Sequence, residues 1–391
     1  MSGAVKSRNN QEKNIINVID EFEYSTQNDS YNEKFRKWRK QKDNPYSFNF
    51  IVNRKESVFI DGKGFVENSS YDSERGAVQR IFFIIGIAML LWIVIENVFS
   101  KIIVFIFDKA GADIHTTLVT SSVYGNSKAV ITALILTSAV KYAVPSVYLY
   151  KKLKMPSEIV FMKTMNSPIQ LICSIGMAFA VSAVLSIPTA YSDSAKEIYS
   201  FFKSVDTDVS VWGQWEYVIY IIYDVIVVSV LSELFFRGAV FTALRQFGDV
   251  SAIVITSLMA GLLAQNVKEF ISITVISVIA SLGMLKSGSV FTAIAVNILC
   301  KMYQLSIAII ELDTSEYMFM VRNFTIMGVF SIGVGIVTII TFREIDSPKK
   351  YLAGYNGETP LKQRISYVIH AFPFPVVSAV CIISALMKIT Y

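Results

Sequence analysis

Hydrophobic and polar positions divide this chain into one polar stretch, residues 1–79, and nine long apolar runs joined by short polar loops. The runs cover 81–107, 129–150, 168–188, 215–243, 251–266, 270–286, 290–310, 323–342 and 366–389. A helix rises about 1.5 Å per residue and needs about 20 apolar residues to cross the hydrocarbon core of a bilayer. The pattern therefore predicts an all-α protein, a polytopic transmembrane helical bundle of about eight or nine helices. The fifth and sixth runs are short and meet at Gln265-Asn266-Val267-Lys268-Glu269. They read either as two spans or as one re-entrant pair. The first apolar run begins only at Ile81, beyond the reach of a signal-peptide h-region, so it reads as an uncleaved first span.

Composition supports the bilayer as solvent. The chain is 53% hydrophobic and 17% charged, against roughly 45–50% and 25% in a soluble domain. The net charge of +5 is small, and its placement is more informative. Lys151, Lys152 and Lys154 follow the second run, Arg245 the fourth, Lys286 the sixth, and Arg343, Lys349, Lys350, Lys362 and Arg364 the eighth. The opposite loops carry Asp193, Glu197, Asp206 and Asp208 against Lys196 and Lys203, and then Glu311, Asp313 and Glu316. The positive-inside rule then puts the N-terminus in the cytoplasm of a cell carrying this protein in its cell membrane. Nothing calls for a nucleic-acid partner. The segment Lys34 to Lys42 interleaves Phe35 and Trp38 with six positive charges. It is expected either to lie on anionic membrane lipid or to form a solvated arm. Cys173, Cys300 and Cys381 all lie in apolar runs and read as packed hydrophobes, not as a disulfide framework.

Ionisable groups inside the spans cost about 2.5–3.5 kcal/mol each on insertion scales, so each needs a partner or a purpose. Here they are Glu96, Lys141, Asp224, Glu233, Arg237 and Lys301, with the neutral Asn297 beside them. Lys141 lies near the middle of the second run and Asp224 in the outer half of the fourth, and the two are expected to pair; a polar pathway is the alternative. Glu233 and Arg237, four apart on one helix face, can neutralise each other, and Gly238 after them allows close helix approach. Gly328, Gly333 and Gly335 read as close-packing positions in the eighth run.

The run Ser232-Glu233-Leu234-Phe235-Phe236-Arg237-Gly238 resembles the first motif of the CPBP family, the intramembrane proteases related to CAAX prenyl endopeptidases and bacteriocin-processing (Abi-type) enzymes. That family carries Glu-Glu-x-x-x-Arg-Gly, then Phe-x-x-x-His, then His-x-x-x-Asn on successive helices. The resemblance implies a glutamate acting as base on a water, with histidines and asparagine holding a metal or polarising the carbonyl. In this chain the first glutamate position is Ser232. The second motif falls on Ala260-Gly261-Leu262-Leu263-Ala264, with Ala264 at the histidine position. After the turn Ser287-Gly288-Ser289, the third motif places Asn297 at the histidine and Lys301 at the asparagine.

The resemblance thus covers about residues 165–305 as a CPBP-like core. The remaining divisions are a polar N-terminal region (1–79), first spans (80–164) and C-terminal spans (306–391). It implies a family frame with its four functional positions replaced. Neither His115, in the first outer loop, nor His370, in the last run, falls within the matched core. The resulting expectation is a catalytically inactive scaffold or regulator that binds a protein or peptide partner, with no cofactor. The site candidates are Glu233, Arg237 and Asn297. One alternative is an active endopeptidase with Glu233 as base, Asn266 or Asn297 as polarising groups, and zinc if the inherited chemistry holds. Another is a small-molecule transporter whose path is lined by Lys141, Asp224 and Lys301.

Overall fold

The computed structural model describes residues 15–17, 29–39, 49–51, 56–60, 64–68, 70–116, 123–163, 165–187, 213–265, 267–311, 315–344 and 360–390. Asn266, the loop charges Asp193, Lys196, Glu197, Lys203, Asp206, Asp208, Asp313, Lys349 and Lys350, and residues 40–42 lie outside this set.

The protein is an all-α polytopic bundle. Among the described residues, seven helices are long and apolar enough to cross a membrane. They are α2 (Arg75–Lys109), α3 (Ser127–Leu153), α5 (Pro168–Ser186), α6 (Trp215–Leu244), α8 (Glu269–Ser287), α9 (Val290–Glu311) and α10 (Glu316–Arg343). Four shorter helices complete the order before the last: α1 (Asp29–Arg39), α4 (Ser157–Val160), α7 (Asp249–Leu263) and α11 (Leu361–Ile369). The last helix, α12 (Phe374–Leu386), is bent 71° from α11, so the ninth run is a bent pair, either a broken span or a re-entrant loop. Short antiparallel pairs join β1 (Ile15–Asn17) with β2 (Asn49–Ile51), on either side of α1, and β3 (Glu56–Ile60) with β4 (Gly64–Asn68). A third, β5 (Ile114–Thr116) with β6 (Val123–Gly125), joins α2 to α3.

The count is therefore seven spans, or eight with the bent pair, where nine runs were read. The difference arises at the fifth run. At 15 residues α7 is about 22 Å long, short of the ~30 Å hydrocarbon core. The chain stops there because Gln265 takes up a left-handed conformation (φ 53°) and turns directly into α8. The two helices then lie close together at Gly261. A Cβ there would sit 2.9 Å from the Phe270 carbonyl oxygen and would collide with the Thr274 hydroxyl. Gly261→Val is therefore expected to destabilise the detergent-solubilised protein by about 1–3 kcal/mol, the usual cost of overpacking. Gly335→Val, where nothing lies within 4 Å, is expected to shift the thermal unfolding midpoint far less.

The helix α5 is the hub, lying against α8, α9 and α10. The polypeptide backbones of α5 and α10 approach so closely that a Cβ on Gly333 would lie 2.6 Å from the Gly176 carbonyl oxygen. This is the small-residue packing that lets membrane helices gain dispersion contacts without a hydrophobic driving force. Gly333 thus serves as the close-packing position, whereas Gly328 and Gly335 have open space around them. All three cysteines are free and buried.

Candidate functional site

The helix α6 carries three of the six membrane-embedded ionisable groups, Asp224, Glu233 and Arg237, and it is not a regular α-helix. Two π-helical segments interrupt it, Tyr223–Val228 and Leu234–Phe241, and α2 contains a third at Ile95–Phe99. A π turn widens the helix, re-aims the side chains and frees carbonyl oxygens from the regular ladder; such turns recur at functional sites. Each of the three holds a membrane-embedded ionisable residue: Asp224, Arg237 and Glu96. Carbonyls in and beside these segments accept from side chains instead. Lys301 Nζ donates to the Asp224 carbonyl at 2.8 Å, and Asn97 Nδ2 to the Ile93 carbonyl at 3.0 Å. The Ser100 hydroxyl donates to the Glu96 carbonyl.

Between the two π segments of α6 lies Glu233. Its Oε2 is 3.1 Å from Arg237 Nε, and both side chains are almost fully buried, at 4% and 3% exposed. Asn297 Nδ2, from α9, donates to Glu233 Oε1 at 2.9 Å and lies 3.3 Å from the Ser232 hydroxyl. Arg237 Nη2 in turn donates to the Ser277 carbonyl at 3.0 Å and its hydroxyl at 2.7 Å, on α8. The three candidates, Glu233, Arg237 and Asn297, therefore meet in one place. Both carboxylate oxygens of Glu233 face a donor or a cation. Ser277 was not foreseen; the only trace of it in the sequence is a hydroxyl in an apolar run.

The second polar pair corrects the expected pairing. Asp224 pairs with Lys301, Nζ to Oδ1 at 3.0 Å, and not with Lys141. Lys141 instead meets Glu96 Oε2 at 2.7 Å, with its ammonium 4.7 Å from the Trp92 ring centroid and 5.4 Å from that of Tyr142. The cause is adjacency: α3 packs on α2, and α9 packs on α6. The Asp224 side chain remains 44% exposed and that of Lys301 25%, so this pair is not enclosed by the bundle.

The other sequence-matched positions have plain roles. Ala264 closes the end of α7 and offers only a methyl group. The turn Ser287-Gly288-Ser289 is tied into the fold: Ser287 Oγ is 2.6 Å from Thr292 Oγ1, and the Ser289 hydroxyl donates to the Met162 carbonyl at 3.2 Å. His370 ends α11, with Nδ1 2.7 Å from the Ser366 carbonyl. His115 sits in β5, with Nε2 3.2 Å from Asp113 Oδ1. Among the described residues no three His, Cys, Asp or Glu side chains converge. The residues at the family's positions do not fit a zinc ion. Ala264 has no donor, Lys301 is itself a cation, and the charge of Glu233 is already paired with Arg237.

The stretch from α6 to α9 is the one that carries all these positions, and it matches the model of one family, Rce1-like (type II CAAX prenyl endopeptidase Rce1-like), over residues 214–303. This segment is similar to that family. The match covers less than a quarter of the chain but contains Ser232, Glu233, Arg237, Ala264, Asn297 and Lys301. It falls inside the stretch that the motif spacing assigns to a CPBP-type core. No curated protein matches the chain, and no solved structure does. Within the matched segment, Glu233 and Arg237 pair on α6 with Gly238 beside them, and Asn297 and Lys301 reach α6 from α9.

Proposed function

We propose that this multi-pass membrane protein is a scaffold or regulator built on an Rce1-like frame, which engages a protein or peptide partner within the membrane and does not hydrolyse it. The observation that carries this reading is the state of Glu233. A general base must reach a water. Here the Glu233 side chain is only 4% exposed, its charge is paired with Arg237 at 3.1 Å and its Oε1 accepts from Asn297, and the position before it is Ser232, whose hydroxyl donates to the Ser229 carbonyl at 3.0 Å. At the position where the family has its asparagine, Lys301 neutralises Asp224. The half-exposed Asp224–Lys301 pair supports a polar contact with a partner segment, because a carboxylate facing hydrocarbon is costly. The lysines that follow the second span support a cell-membrane protein with a cytoplasmic N-terminus.

The test combines metal content with turnover. The purified full chain is expected to hold well under one transition-metal ion per molecule. It is also expected to leave a prenylated CAAX-type peptide intact in proteoliposomes, while a photo-crosslinker at position 226 captures a defined membrane partner. Cleavage that disappears in Glu233→Gln at unchanged protein level would overturn the reading in favour of a rearranged endopeptidase.

A further inference from the structure

The described part of the basic-aromatic segment, residues 34–39, lies in the helix α1, and the two faces of this helix do different things. Tyr31, Phe35 and Trp38, spaced four and three apart on one face, are all buried against the protein. Trp38 Nε1 donates to the carbonyl of Leu153, the last residue of α3, at 2.7 Å. The Tyr31 hydroxyl donates to the Ile159 carbonyl of α4 at 3.3 Å. Burial raises the pKa of Tyr31, so the phenol stays protonated and keeps that donor. The aromatic face is thus occupied by protein and does not enter lipid.

The other face is exposed and carries both signs, Asp29 and Glu33 beside Lys34 and Lys37, and its excess positive charge comes with the lysines around it. Lys34 Nζ reaches Glu158 at 3.0 Å, and Lys37 pairs with Glu33 at 2.6 Å with its side chain 74% exposed. Around the docking point, Lys151 and Lys152 end the α3 span and Lys163 precedes α5, all three exposed. Cations just past the end of a span sit at headgroup level, where anionic lipid attracts them over about 10 Å at 0.1 M salt. The helix also reaches inward: α4 lies beneath it, and Val160 of α4 abuts Gly238, beside Arg237, so that a Cβ on Gly238 would lie 3.1 Å from Val160 Cγ1.

We propose that the outer face of α1 together with Lys151, Lys152 and Lys163 is a docking surface for anionic phospholipid headgroups. The lipid clamps α1 onto α4 and so braces the end of the helix that carries Glu233 and Arg237. This surface works whether or not the intramembrane site is hydrolytic.

The test uses the full chain in nanodiscs of phosphatidylcholine alone or with phosphatidylglycerol. Tryptic cleavage within α1 is followed by mass spectrometry. Anionic lipid is expected to slow cleavage severalfold, and the protection is expected to vanish near 1 M salt, where the screening length falls to about 3 Å. The triple variant Lys151→Gln, Lys152→Gln, Lys163→Gln is expected to cleave at the phosphatidylcholine rate in both membranes. Equal cleavage of the unaltered chain in the two membranes, or full protection retained by the triple variant, would overturn the proposal.

Discussion

Replacing Glu233 with glutamine is expected to destabilise the solubilised protein by about 3–5 kcal/mol, the cost of removing one partner from a buried ion pair. The effect is large because Arg237 cannot give up its proton and cannot reach water: its side chain is 3% exposed. Its contacts to the Ser277 carbonyl and hydroxyl remain, but neither carries a charge. The double variant Glu233→Gln, Arg237→Met is expected to recover most of the loss, since two matched apolar or neutral groups leave no uncompensated charge. Unfolding in mild detergent on all four members of the cycle measures the coupling between the two residues. A double variant no more stable than Glu233→Gln alone would mean that Arg237 is held by its surroundings and not by Glu233. Asn297→Ala removes a single donor to Oε1 and is expected to cost less, about 1–3 kcal/mol.

A comparable loss, about 3 kcal/mol or more, is expected for Asp249→Asn, just past the C-terminal end of α6 at the start of α7. Arg245 Nε lies 2.9 Å from Asp249 Oδ1, with the two side chains 1% and 0% exposed, so this is the most enclosed ion pair described. Asp249 also occupies the first turn of α7, where a negative charge interacts favourably with the helix dipole. Arg245 hydrogen-bonds the Tyr31 side chain of α1 as well. Asp249→Asn is therefore expected to lower the unfolding midpoint and to speed tryptic cleavage in α1. A lowered midpoint with unchanged cleavage would show that α1 docks without help from this pair.

Long apolar runs were legible to within a few residues. The run 290–310 is α9 (Val290–Glu311), and 168–188 is α5 (Pro168–Ser186). The run at 323–342 is longer in the structure, beginning at Glu316. The helix continues through Arg322, whose charge is paired with Glu311 at 2.5 Å. The run at 251–266 is too short to span because its end is set by a backbone turn at Gln265, a residue that gives no sign of left-handed geometry in advance. Of the candidate site, Glu233 with Arg237 was readable because both lie on one helix, four residues apart. Its contact with Asn297 had been anticipated only as membership of a common site.

Hydropathy alone determined the class of this protein, since a helix must satisfy its own backbone wherever water is missing, and only apolar runs of sufficient length permit that. Local spacing determined the Glu233–Arg237 pair for the same reason: its geometry is internal to one helix. Tertiary structure alone decided the remaining charges. Asp224 found Lys301 and Lys141 found Glu96 because of which helices are neighbours. It also decided that the aromatics of α1 face protein and not lipid. A charge in a low-dielectric interior takes whichever partner the packing brings within a few ångströms, and sequence separation says nothing about that distance.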